Sequence, residues 1–125
     1  MSDPAARLQA GLIIDALDAI VQACIDAGVQ ATRIDGDFQP PGAIVSAPTI
    51  TGAATMQTLA MTVPVYVVTD QPGSDGLEWS LEAVSALLPA LGVAGPVTPT
   101  TWISPINPAG LPAYLLTVQC NVTTS

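Results

Sequence analysis

The run "TMQTLAMTVPVYVVT", from Thr55 to Thr69, most narrows what this chain can fold into. Its odd positions Leu59, Met61, Val63, Val65 and Val67 form one apolar face, with Thr58, Ala60, Thr62, Pro64 and Tyr66 on the other. That alternation is the mark of a half-exposed β-strand. Fully extended, the run would reach about 50 Å, whereas a domain of 125 residues is only about 35–40 Å across. The strand must therefore bend, or its first part must leave the body as a hairpin arm paired with "VSAPTI". Pro64 cannot donate a ladder hydrogen bond and so predicts an edge position or a bulge.

Two helices flank this run. The first is predicted over Pro4 to Ala27, with Asp3 as cap, Pro4 in the first turn and Gly28 at the end. Asp15, Asp18, Gln22 and Asp26 make its polar stripe, and Ile13, Leu17, Ile20 and Cys24 its core face. Ile14, Val21 and Ile25 form a surplus apolar flank that can meet a neighbouring subunit or settle on its own sheet. The second helix is predicted from Asp75 to Leu91, with Asp75 and Glu78 as a capping box. Leu77, Leu81, Val84, Leu88 and Leu91 read as its core stripe, Pro89 as a distortion of the last turn, and Gly92 as the stop. Trp79 falls opposite that stripe, which makes it an interface anchor or a ring half-covered by its own chain.

Strands are further predicted over Val29–Ile34, over Ala43–Ala47, within "TTWIS", and over Pro112–Thr123, where Tyr114, Leu116, Val118, Cys120 and Val122 alternate with Leu115, Thr117, Gln119 and Asn121. The expected fold is one α+β domain over residues 1–125. A mostly antiparallel sheet of four to five strands is packed by two helices in the order α-β-β-β-α-β-β, with a β-hairpin arm able to project from it.

The inventory of reactive groups is thin. There is no histidine and no lysine, and the only cations are Arg7 and Arg33 against ten acidic residues, a net charge of −8. That balance argues against gripping nucleic acid by its phosphates and is compatible with a surface that DNA passes without sticking. Only 10% of residues are charged, well below the usual quarter, which hints at burial in an assembly. No histidine base, Schiff-base lysine, phosphate-loop lysine or nucleophile elbow exists. Cys24 and Cys120 lack the spacing of a zinc site and read as free, core-facing thiols. Asp35 with Asp37, or Asp70 with Asp75, could touch a divalent ion, although the calcium-loop pattern is missing. In "DQPGSDG" the two aspartates would repel a phosphate at the following helix terminus. No stretch is apolar for long enough to span a membrane, and the polar start "MSDPAARLQ" does not read as a signal peptide.

Several segments, in order, carry a resemblance: "DAGVQAT", "PPGAIVSAPTI", "VPVYVVTDQPG", "DGLEWSLEAVSALLPAL", "GVAGPVTPTTW" and "LPAYLLTVQC". Together the chain resembles the tail terminator proteins of long-tailed phages, especially those infecting actinobacteria. The resemblance implies a small structural subunit of the virion, not an enzyme and without cofactors. It would assemble in the host cytoplasm into a closed six-membered ring that caps the tail tube and ends its polymerisation. Its partners would be further copies of itself, the major tail tube protein and the head-side connector, with DNA passing through the lumen unbound. Ring closure needs two different patches. Trp79, the Ile14/Val21/Ile25 flank and the two cations Arg7 and Arg33 are candidates for one, and the long strand with its hairpin for the other. Two alternatives stand beside this reading: another neck or head-completion ring protein, and a small carboxylate- or metal-using enzyme or ligand-binding domain.

Overall fold

The computed structural model describes residues 4–34, 38–55, 58–71, 73–93, 95–103 and 108–123. Its elements are α1 (Pro4–Asp26), β1 (Ala31–Thr32), β2 (Gly42–Val45), β3 (Thr49–Thr55), β4 (Thr58–Val68), α2 (Gly73–Leu87), β5 (Thr98–Trp102) and β6 (Leu111–Thr123). The fold is α+β, with a six-stranded sheet in the order β1-β2-β4-β6-β5 and β3 paired with β4. Every pairing is antiparallel except β1 with β2. Among the described residues no helix is long and apolar enough to cross a membrane.

The extra strand comes from the long run. The predicted partner "VSAPTI" gives way to "TITGAAT", which forms β3, and the long run begins as β4 only at Thr58. β3 and β4 form a hairpin in which Thr49 faces Thr62 and Thr55 faces Thr58, with two register shifts between. β4 pairs along its whole length with β6, from Thr58 opposite Thr123 to Val68 opposite Ala113. The arm is thus a three-stranded end of the main sheet: β3, the start of β4 and the end of β6.

Pro64 sits in a central strand, not at an edge. It falls where the neighbour of β4 changes: β2 ends with Val45 opposite Val65, and β3 begins with Thr49 opposite Thr62. In an antiparallel strand a residue's N–H and C=O point to the same side. The Pro64 carbonyl accepts from the Ser46 N–H at 2.9 Å, so the missing donor faces the 46–48 connection, where no ladder bond is due.

Both helices lie on one face of the sheet. Leu17, Ile20 and Cys24 of α1 and Ala83, Val84 and Leu87 of α2 share one buried cluster with the alternate residues Met61, Val63, Val65 and Val67 of β4 and Leu116, Val118 and Val122 of β6. On the opposite face a smaller cluster joins Phe38, Ile44, Val68 and Ala113, capped by Trp102, whose ring meets Phe38 edge-on at 5.0 Å. α1 closes as predicted near Gly28, which takes φ +95°. There the Val29 N–H donates to the Cys24 carbonyl and the Gly28 N–H to the Ile25 carbonyl. This is the Schellman arrangement, which glycine adopts without steric cost.

α2 departs from its predicted bounds at both ends. It starts at Gly73, so Asp75 lies inside the first turn and not at the cap. An acid there still complements the helix dipole. The helix stops at Leu87 because Pro89 has no N–H and its ring disfavours helical geometry before it. The chain leaves through turns, with the Ala90 and Leu91 N–H groups both donating to the Leu87 carbonyl.

Candidate interaction surfaces

On α1 the surplus flank is where its periodicity puts it. Ile14 and Ile25 are exposed, at 43% and 46%, while Val21 between them is half-buried against the main cluster. Arg33 reaches back to the same helix, its Nε donating to Asp18 Oδ1 at 2.6 Å. Both partners are well exposed, so the pair contributes little to stability, and it holds Arg33 to its own chain. The Arg7 and Asp3 side chains lie outside the described residues, as do Asp35 and Asp37.

On α2 the predicted core stripe is corrected. The buried face is Gly76, Ser80, Ala83, Val84 and Leu87. Of the predicted stripe only Val84 and Leu91 are buried, whereas Leu77, Leu81 and Leu88 are 44–48% exposed. The helix is turned so that small residues face the sheet. A Cβ at Gly76 would run into the Gln71 carbonyl oxygen and come within 3.2 Å of Thr69 Oγ1. The incoming loop, tied by the Gln71 N–H to Thr69 Oγ1 at 3.2 Å, therefore presses on the first turn and sets the rotation of the helix. The leucines are left as an open apolar flank. The signal was present in the sequence, since Gly76, Ser80, Ala83 and Leu87 recur at helical spacing as regularly as the leucines do.

The same rotation moves Trp79. It is half-buried and packs against the main cluster, so it is not an outward anchor. It lines a groove of about 530 Å³ with Gly28, Pro40, Pro41, Glu82 and Ala86, between α2 and the end of α1. Trp79→Ala is accordingly expected to destabilise the subunit itself, by about 1–3 kcal/mol. Urea unfolding of the two proteins measures this, and an unchanged midpoint would contradict the placement.

Cys24 is fully buried and free, and Cys120 is half-buried and free. Burial pushes the Cys24 thiol from 9.0 up to about 11, with a backbone hydrogen bond pulling partly the other way. The unfolded chain therefore releases this proton first. Its contribution to stability is complete below pH 9 and is lost as pH rises towards about 11. Unfolding midpoints at pH 8 and pH 10.5 should differ more in the native chain than in Cys24→Ala, and Cys24 should resist alkylation until the protein unfolds.

Asp70 and Asp75 are both exposed at the start of α2. Among the described residues no group of three or more Cys, Asp and Glu side chains could hold a metal ion.

Charge is strongly segregated. Every Asp, Glu and Arg lies within residues 3–37 or 70–82, and residues 38–69 and 83–125 contain none. Asp15, Asp18 and Asp26 on α1 and Asp75, Glu78 and Glu82 on α2 are exposed. The helix layer is therefore acidic, and all six strands are uncharged. No protein-family model matches this chain, and no curated protein or solved structure shows significant similarity to it.

Proposed function

We propose that this protein is a structural, ring-forming subunit of the phage tail terminator type, acting through its surfaces and not through catalysis. The observation that carries the reading is the pair of open aliphatic flanks, Ile14 and Ile25 on α1 and Leu77, Leu81 and Leu88 on α2. An apolar patch of this kind on a chain with so little charge favours a protein partner. The ordered motifs from "DAGVQAT" to "LPAYLLTVQC" support the terminator type in particular. In this role copies of the chain close a ring on the end of the tail tube, stop its growth and present the other side to the head connector. DNA crosses the lumen without a dedicated binding site, consistent with strands that carry neither cations to hold it nor carboxylates to repel it.

Light scattering coupled to size exclusion, followed by negative-stain microscopy, tests this. The expected species is a ring of about six chains, present alone at high concentration or formed on purified tail tubes. A strict monomer under both conditions, stabilised by Mg²⁺ or a nucleotide, would overturn it.

A further inference from the structure

The three-stranded end of the sheet has two free edges. Among the described residues β3 pairs with β4 alone. On its outer side β6 is covered by β5 only as far as Leu115, then by the bridge of Val93 to Val118 and the Gln119 N–H donating to the Gly92 carbonyl. Beyond Gln119 no strand among the described residues lies against it. Exposed edges are usually blunted by charge or proline. Neither β3, "TITGAAT", nor the end of β6, "QCNVT", contains a charged residue or a proline, and the two register shifts of β3 are the edge-blunting feature seen among the described residues.

We propose that these edges join to each other between copies, the β3 edge of one chain adding to the β6 edge of the next. This rests on the ring reading above and specifies its joint. Charge selects the occupant. The charges of a chain of net charge −8 lie within residues 3–37 and 70–82, so the uncharged strand edges let a second copy dock without bringing like charges together. A cationic partner would be drawn to the helices instead. Shape agrees. Ile50 on β3 stands 52% exposed, directly opposite Met61 and so on the same sheet face. Beside the β6 edge lies a hollow of about 510 Å³ lined by Met61, Val93, Cys120 and Gly92. An added β3 brings its Ile50 to that same face, into the hollow. The contact is heterologous, as a closed ring requires. For strands running along the ring axis rotation preserves their direction, and β3 and β6 run the same way within one sheet, so such a joint is a parallel pair.

Ile50→Cys tests the geometry with the native Cys120 as its target. Within one chain the two positions are separated by a strand, with Met61 between them, which places them about 10 Å apart, beyond disulfide reach. Mild oxidation should therefore yield a ladder of disulfide-linked multimers that Cys120→Ser abolishes. A single dimer band that survives Cys120→Ser would mean β3 pairs with β3 and would overturn the proposal. So would the absence of crosslinks in a preparation that light scattering shows to be assembled, and the ring reading would then stand with a different joint. If the unaltered chain stays monomeric at every concentration and on tubes, the ring reading itself fails. Ile50→Lys and Asn121→Pro are expected to abolish assembly while melting within a few degrees of the native chain. The proline substitution removes only an N–H that points away from β4, because Gln119 two residues earlier donates outward. Should Asn121→Pro melt early, Asn121→Lys at the same exposed position replaces it.

Discussion

Leu81→Lys is expected to leave the subunit folded and to abolish its self-association. Leu81 is 47% exposed on the flank it shares with Leu77 and Leu88, so in the isolated chain the substitution changes stability by no more than about 0.5 kcal/mol. A lysine there also finds Glu78 one turn away, a mildly favourable neighbour. At a subunit contact the balance reverses. The leucine's burial, roughly 1.5–3 kcal/mol, is lost, and an ammonium must be removed from water without a partner of matching geometry. A weakening of at least 100-fold per contact corresponds to about 2.7 kcal/mol, below the sum of those two effects. Light scattering at a concentration where the native chain is fully assembled reads this as a shift to monomer. Leu77→Lys and Leu88→Lys should act in the same direction. Assembly of Leu81→Lys at native concentrations would remove the α2 flank from the interface.

The largest effect on the fold itself should come from Leu116→Ala. Leu116 is fully buried on β6, opposite Val65 of β4, in the cluster that receives both helices. Its strand is held by β4 on one side and, on the other, by β5 up to Leu115 and by the bridge at Val118, so the backbone cannot collapse to refill the space. Truncation of such a leucine costs about 3–5 kcal/mol. Against a total of about 5–15 kcal/mol for a typical domain, this should lower the melting temperature by roughly 10–20 °C. Leu88→Ala provides the contrast: it removes the same atoms from an exposed site and should shift the midpoint little. A loss below about 1 kcal/mol for Leu116→Ala would mean that the site relaxes, contrary to a rigid sheet centre.

Local periodicity carried most of the architecture. The alternation of Met61, Val63, Val65 and Val67, and of Leu116, Val118 and Val122, assigned the correct face of each strand, because a strand's side-chain period does not depend on what packs against it. The length of the 55–69 run implies an arm, and the arm exists as the β3–β4 hairpin, although its first strand is Thr49–Thr55 and not "VSAPTI". "TITGAAT" is small and polar, with no apolar alternation to mark it, and it is a strand only because β4 offers it a partner. Pro64 by itself points to an edge position or a bulge, because a proline removes a donor. It is central because the neighbouring strand is interrupted at that point, a fact of pairing that is not local to Pro64.

The helices divide the same way. On α1 the core face and the Ile14/Val21/Ile25 flank were legible, because polar residues bound the apolar arc on both sides and leave a single orientation. On α2 two stripes compete, the leucines and the small residues Gly76, Ser80 and Ala83. Hydrophobicity alone favours the leucines. The fold chooses the small residues, because the loop tied at Thr69 and Gln71 presses on Gly76 and leaves no room for a side chain there. What the sequence determined by itself was therefore the two helices, the faces of β4 and β6 and the segregation of charge, all of which follow from local periodicity and composition. What only the tertiary structure decided was the rotation of α2, which buries half of Trp79 and opens the leucine flank, and the pairing that leaves the uncharged edges of β3 and β6 free. Both depend on contacts between residues far apart in the chain, where one close approach outweighs the hydrophobic preference of a whole helix face.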